Sequence, residues 1–358
     1  MKCTCGQCGH AFEAEPVPTH LLACGDSTDH ESVARLFSGD KADMIHADGP
    51  YGMGKEADGI ANDNLYRDKL DAFQLAWWRA VRPHLADNAS AYIWGNAEDL
   101  WRLWFVGGLR DGERITVINE IVWSKPGGFG VGTESQRSYF PNERCLVLML
   151  GEQRMGTNAD EFWEGWEPIR AALKADCDKM GWGPADIDRI CGVGMYSHWF
   201  TRSQWCFIPE EHYRKLQAAA REHDAFKREH DAFKREHDEL KREWMSKRAF
   251  FDNQHDNMTD VWDFPRVIGE ERFGHATPKP VALAERAIRS SCPEGGLVYA
   301  PFGGTGPELI AASRAGRRVR MSEVSPAYCD VIRRRFAAYA SEAGVDPGSG
   351  ALDTEAAE

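Results

Sequence analysis

The stretch His46-Ala-Asp-Gly-Pro-Tyr-Gly52 groups a carboxylate, a bendable backbone and an aromatic ring. A carboxylate beside a bendable backbone and an aromatic ring is a grouping that can work on a bound ligand if one element holds it in place. Residues 42–47, which run into it, are a short, mostly apolar segment stopped by Gly-Pro, which predicts a buried parallel strand. Ligands of open α/β sheets sit beyond the carboxyl ends of strands, so Asp48 and Tyr51 stand where chemistry is done.

A second stretch, Tyr299-Ala-Pro-Phe-Gly-Gly-Thr-Gly-Pro307, reads as a strand running into Gly303, Gly304 and Gly306, with Pro307 opening a helix. Such a loop lets a ligand approach the backbone and turns helix N–H groups towards it. Glu323 ends the next predicted strand, the position from which an acid binds ribose hydroxyls in nucleotide folds.

The 358 residues, 42% hydrophobic, suffice for one large α/β domain with an insertion or for two domains. No signal-peptide core and no membrane-length apolar run is found, so a soluble cytoplasmic protein is expected. Cys145, Cys206 and Cys292 lie in apolar runs and read as reduced core thiols. A net charge of -13 argues against a general nucleic-acid coating protein, although a local basic surface can still bind DNA.

Along the chain, residues 1–17 form a cysteine-bearing lead, 18–150 an α/β part, 151–265 a Trp- and charge-rich insertion, 266–340 a second α/β part, and 341–358 an acidic tail expected to be disordered. In the lead, Cys3, Cys5, Cys8 and His10 read either as half of a zinc ribbon or as a metal-free terminus. From Arg221 a seven-residue unit repeats, with His223, His230 and His237 three residues before Phe226, Phe233 and Leu240. On one helix over 210–248, about 60 Å long, these six residues form a stripe: either a coiled-coil seam that pairs two copies, or one side of a solvated arm. Residues 184–204 read as helix, Gly-containing turn and second helix, either a helix-turn-helix or an ordinary hairpin. Its second helix would offer Ser197, His198, Arg202 and Gln204 to base edges, while Trp199 and Trp205 pack inside.

Taken together, these motifs resemble those of the S-adenosylmethionine-dependent DNA amino-methyltransferases. Asp-Gly-Pro-Tyr stands in place of that family's D-P-P-Y, Ala300-Pro-Phe-Gly-Gly-Thr-Gly306 in place of D-P-F-x-G-[ST]-G, and His275-Ala-Thr-Pro-Lys-Pro280 resembles its H-x-T-x-K-P segment. The order, catalytic tetrapeptide before cofactor loop, resembles the β class. The resemblance implies a Rossmann-like α/β methyltransferase sheet with circularly permuted motif order and a helical target-recognition insertion. It covers roughly residues 18–335, including Leu22-Ala-Cys-Gly-Asp-Ser-Thr-Asp29, and fails over the repeat.

It further implies S-adenosylmethionine as cofactor, held by Asp26, His275, Thr277, Lys279, Pro280, Phe302, Gly303, Gly304, Thr305, Gly306 and Glu323. Catalysis would fall to Asp48, Gly49, Pro50 and Tyr51 on a flipped adenine of double-stranded DNA, in a DNA-modification or restriction–modification setting. The segment Met195 to Trp205 resembles recognition segments of phage and prophage adenine methyltransferases. Two departures, Gly49 for proline and Ala300 for an acid near the cofactor's methionine end, leave alternatives open. These are cytosine N4 as target, transfer of another group in a pocket enlarged at Gly49 and Ala300, or a DNA-binding subunit without strong activity.

Overall fold

The computed structural model describes residues 20–110, 115–125, 142–151, 153, 162–254 and 259–344, with the backbone of 2–4 and 11–13. In the lead, β1 (Lys2–Thr4) pairs antiparallel with β2 (Ala11–Glu13). Of Cys3 only the backbone is described, and Cys5, Cys8 and His10 lie outside the described residues. Among the described residues no three His, Cys, Asp or Glu side chains are grouped to hold a metal ion, and the zinc reading gains no support.

The chain divides into two units, residues 1–151 with 249–358, and residues 152–248. After the lead, the first runs through β3 (His20–Cys24), α1 (His30–Phe37), β4 (Ala42–Ala47), α2 (Asp68–Val81), β5 (Leu85–Gly95), α3 (Ala97–Phe105), β6 (Ile115–Ser124) and β7 (Glu143–Leu150). The second consists of α4 (Glu167–Lys179), α5 (Pro184–Cys191), α6 (Tyr196–Phe200), α7 (Glu210–Ala219) and α8 (His230–Ser246). The first unit resumes with β8 (Val261–Asp263), α9 (Val281–Ser291), β9 (Leu297–Ala300), α10 (Pro307–Arg314), β10 (Arg318–Glu323) and α11 (Pro326–Ala343). Thus β8, inside the span expected for the insertion, belongs to the sheet, where it pairs with β6. Helix α11 carries residues 341–343 of the expected tail, and 345–358 lie outside the described residues.

The first unit is an eight-stranded sheet in the order β3-β10-β9-β4-β5-β7-β6-β8. The strands from β3 to β5 are mutually parallel, and β7 runs antiparallel to both its neighbours. Period-two alternation sends Met44 of β4 to one face and Ile45 and Ala47 to the other. Each face is buried under helices: α9, α10 and α11 on one, α1, α2 and α3 on the other. Between β9 and β4 the chain order reverses direction, so their carboxyl ends open a crevice where Ala47 hands over to Asp48 and Ala300 to the glycine loop. Cys145 and Cys292 are free buried thiols as expected, whereas Cys206 is exposed. No helix among the described residues is long and apolar enough to cross a membrane.

The second unit packs its helices around Trp199, Phe200, Tyr213, Phe226 and Phe233. Here the single long helix over 210–248 is not found: α7 stops at Ala219, a turn follows, and α8 starts at His230. The first repeat copy makes that turn, with Phe226 in the left-handed region at φ +53°, its ring stacked on Trp182 and edge-on to Tyr213. The predicted stripe splits accordingly: Phe226, His230 and Phe233 are buried, His223 is exposed, and His237 stacks on Trp166 and Phe207. Phe226 and Phe233 are thus spent on the core of one chain, which corrects the continuous coiled-coil seam, and the dimer expected through it gains no support. A second correction concerns the recognition helix. Helix α6 ends at Phe200, so Ser197 and His198 lie on it, while Arg202 and Gln204 follow it. Gln204 sits at φ +53°, and Trp205 is half-buried where Trp199 is fully buried.

Candidate active site

The tetrapeptide after β4 is fixed from two sides. The buried Asp63 carboxylate collects the backbone N–H groups of Tyr51, Gly52 and Lys55 at 2.8, 3.0 and 2.9 Å, and Gln74 of α2 donates to the Pro50 carbonyl. Gly49 has a packing reason: a Cβ there would stand 2.8 Å from the Phe302 ring, which lies against Phe73 and Trp77. Ala300 is fully buried in β9 and does not line the cleft. At Gly49 the space beside the backbone is thus taken by the Phe302 ring, and at Ala300 the side chain faces the core.

Asp48 stands in a half-buried charge network around the buried Lys279. Its Oδ1 accepts from the Tyr51 hydroxyl at 2.5 Å and from Lys279 Nζ at 2.5 Å. Lys279 Nζ also reaches the Tyr51 hydroxyl at 2.8 Å and Glu143 Oε2 at 2.8 Å, and Lys125 pairs with the other Glu143 oxygen. Burial would push Glu143 up, but Lys279 and Lys125 overcome it and hold the carboxyl at about 2. Burial would likewise lower Lys279, yet Asp48 and Glu143 hold it above the usual lysine range. The Tyr51 phenol is pushed well up, first by burial and then by Asp48 and Glu143.

The facing wall is the glycine loop. Gly304 and Gly306 adopt φ of +51° and +75°, which favour glycine, and a Cβ on Gly303 would stand 2.9 Å from Ile332. Glu323, at the end of β10, accepts from Gly304 N–H at 2.7 Å through one oxygen and from Ser325 N–H at 2.8 Å through the other. Burial raises its pKa against those bonds. Thr305 is buried, and Arg335 donates to both its carbonyl and its hydroxyl. His275 accepts the Thr277 N–H and leans on Tyr328, and burial lowers its pKa.

One cleft of about 320 Å³ brings together Asp48, Gly49, Pro50, Tyr51, His275, Thr277, Lys279, Phe302, Gly303, Gly304, Thr305 and Glu323. Asp26 does not line it. Its Oδ1 accepts Thr28 N–H in an adjoining pocket of about 50 Å³, and Pro280 serves instead as the cap of α9. Lys125, Glu143 and Glu308 also line the main cleft and carried no motif of their own. In the sequence Glu143 is marked only by the apolar run that follows it, Cys145 to Leu150. In the second unit, Arg202 is held by Glu164 at 2.8 and 3.0 Å and by Glu167, and His198 Nδ1 lies 3.1 Å from the Gln204 carbonyl.

A carboxylate and a glycine loop at the switch point of a parallel sheet define a nucleotide-type cleft with a hydrogen-bond acceptor beside it. A family model for DNA methylases of the N6/N4 type matches residues 42–334, and the chain belongs to this DNA methylase family. Among its relatives, the type II methyltransferase M.ScaI of Streptomyces caespitosus is 34% identical over 90 residues, 24% of this chain and 30% of that protein. DNA adenine methyltransferase YhdJ of Escherichia coli (strain K12) is 37% identical over 79 residues, 22% of this chain and 27% of that protein. The chain thus spans about 30% of the length of the curated relatives it matches. The crystal structure of an M1.HpyAVI–SAM complex aligns at TM-score 0.49 with 13% identity, over 88% of this chain and 98% of that one.

Proposed function

We propose that the chain methylates an exocyclic amino nitrogen of double-stranded DNA, adenine N6 at a short specific sequence, with S-adenosylmethionine as donor and in the cytoplasm. The observation that carries this reading is the meeting of Asp48, the glycine loop and Glu323 in one cleft. These residues suit the donor. Glu323 presents carboxylate oxygens to ribose hydroxyls, Gly303 to Gly306 let a ligand approach the backbone, and Glu308 leaves a buried oxygen without a partner. Bound there, the donor supplies an electrophilic methyl group on a sulfonium.

The chain's own residues prepare the acceptor. The amino nitrogen of adenine is a weak nucleophile because its lone pair is delocalised into the ring. Hydrogen bonds from its N–H groups to the Asp48 carboxylate and the Gly49 carbonyl hold the lone pair towards the methyl group. An entering base competes with the Tyr51 hydroxyl for Asp48 Oδ1, which releases the tyrosine ring to stack on the base. Lys279 stays on the carboxylate and offsets its charge in the buried site, so Asp48 orients the amino group while the surplus proton leaves to water. Paired bases hide this group, so the base is flipped out.

Adenine is favoured because YhdJ is by name a DNA adenine methyltransferase. Target recognition is assigned to the second unit, with Ser197, His198, Arg202 and Gln204 as base-reading candidates; Arg202 must exchange Glu164 and Glu167 for a base edge. The test is mass spectrometry of nucleosides from DNA incubated with the protein and S-adenosylmethionine. N6-methyladenine is expected, and Asp48→Ala should abolish it while leaving donor affinity within a few-fold. N4-methylcytosine would move the reading to cytosine, and DNA binding without either product would reduce it to a binding subunit.

A further inference from the structure

Glu308, in the first turn of α10, is 1% exposed and lines the cleft, and its carboxylate is only half satisfied. Its Oε1 lies 3.0 Å from His46 Nδ1, while its Oε2 is buried without a hydrogen-bond partner. The protons on His46 follow from its other nitrogen. Trp94 Nε1–H can only donate and reaches His46 Nε2 at 3.0 Å, so Nε2 carries a lone pair and the single ring proton sits on Nδ1, donated to Glu308. His46 therefore gives Glu308 a hydrogen bond without neutralising it. Arg335, whose field reaches Glu308, is hydrogen-bonded to Thr305 and makes no ion pair with the carboxylate among the described residues.

A buried carboxylate oxygen without a donor is unfavourable unless something else fills the place. Position says what. Glu323 ends β10 on one side of β9, and Glu308 is tied to β4 on the other side, two residues before Asp48. The two acids flank the glycine loop about two strand spacings apart, roughly 10 Å. A donor whose ribose lies on Glu323 extends its amino-acid end along the loop towards α10.

We propose that Glu308 Oε2 receives the ammonium of the donor's amino-acid end, and so makes this cleft select donors that are cationic there. The proposal rests on the S-adenosylmethionine reading. Calorimetry of the full chain with S-adenosylhomocysteine, which keeps the ammonium and lacks the sulfonium, and with its desamino analogue isolates the interaction. The wild-type protein should bind the amino form at least about 10-fold more tightly. In Glu308→Gln, which keeps shape and an acceptor for His46, the preference should fall to within about two-fold. The unliganded variant should also melt no lower than wild type, because the charge removed is buried and makes no ion pair with Arg335.

Equal binding of the two ligands by wild type, or an unchanged preference in Glu308→Gln, overturns the proposal while leaving the methyltransferase reading intact. A variant that melts well below wild type overturns it too, since Glu308 would then hold the fold and not the ligand. Failure of wild type to bind S-adenosylmethionine or S-adenosylhomocysteine removes the underlying reading, and the proposal with it.

Discussion

Lys279 decides the electrostatics of the cleft. With its side chain 2% exposed, it lies between Asp48 and Glu143, at 2.5 and 2.8 Å. Replacing it by methionine leaves two half-buried carboxylates without their shared cation, with only Lys125 to offset one of them. Breaking a fully buried pair destabilises by about 3–5 kcal/mol, and the loss here should lie below that because both carboxylates keep some contact with solvent. Lys279 comes before Lys125 among the cations that hold Glu143 low, so its loss makes Glu143 easier to protonate, and the acid limb of the transfer rate in Lys279→Met should move to higher pH. A pH–rate profile that keeps its acid limb, in a variant that still folds, would show that Lys279 does not act on the rate through Glu143. Sequence made Asp48, Gly49 and Tyr51 legible because their chemistry is carried by adjacent residues after a strand. It marked Lys279 only as part of a cofactor segment. The Asp48–Lys279 and Tyr51–Glu143 contacts join residues 231 and 92 positions apart, and no local pattern encodes them.

Elements show where local pattern misleads. The three copies of the repeat have almost the same sequence, yet the first makes a turn and the next two make α8. Periodicity reads them alike; tertiary contacts do not, because Phe226 finds Trp182 and Tyr213 only by leaving the helix. In a seam, Phe226, Phe233 and Leu240 would be equivalent. In this fold they are not: the first two are buried, and Leu240 only packs against the edge of the core. Phe226→Ala and Phe233→Ala should each cost about 3–5 kcal/mol, and Leu240→Ala markedly less. Denaturant titration of the three variants separates the alternatives, and equal losses would restore the seam. The strands fared better. Strands β4, β9 and β10 were readable because short apolar runs end at Gly-Pro, Gly-rich or acidic stops, which are local features. The short β8 gave no such signal, since its place in the sheet comes from pairing with β6.

At the scale of the whole molecule, the dependence of stability on pH has two opposing parts. The formal charge is -13 and the isoelectric point about 5.5, so acidifying from neutrality relieves general repulsion and favours the compact state. His20, on the edge strand β3, acts the other way. Burial first and Arg320 second hold it at about 4, against 6.5 for a free histidine. The unfolded chain therefore takes up this proton before the folded one does. The stabilisation is complete above about pH 6.5 and is lost as pH falls through about 4, an effect on the order of 3 kcal/mol. Glu143 continues the loss lower down: its stabilisation is present above 4.5 and disappears as pH falls towards about 2. Acid sensitivity should thus begin near neutrality, above the range of carboxylate protonation. His20→Phe, which keeps an aromatic ring for the edge contact with Phe336, isolates the first part. Unfolding free energies from urea titrations at pH 7, 6, 5 and 4 should fall for wild type and fall less steeply for His20→Phe, in which the lowered His84, His237 and His275 remain. Parallel curves for the two proteins would mean that another group sets the acid response and that His20 is protonated in the folded state.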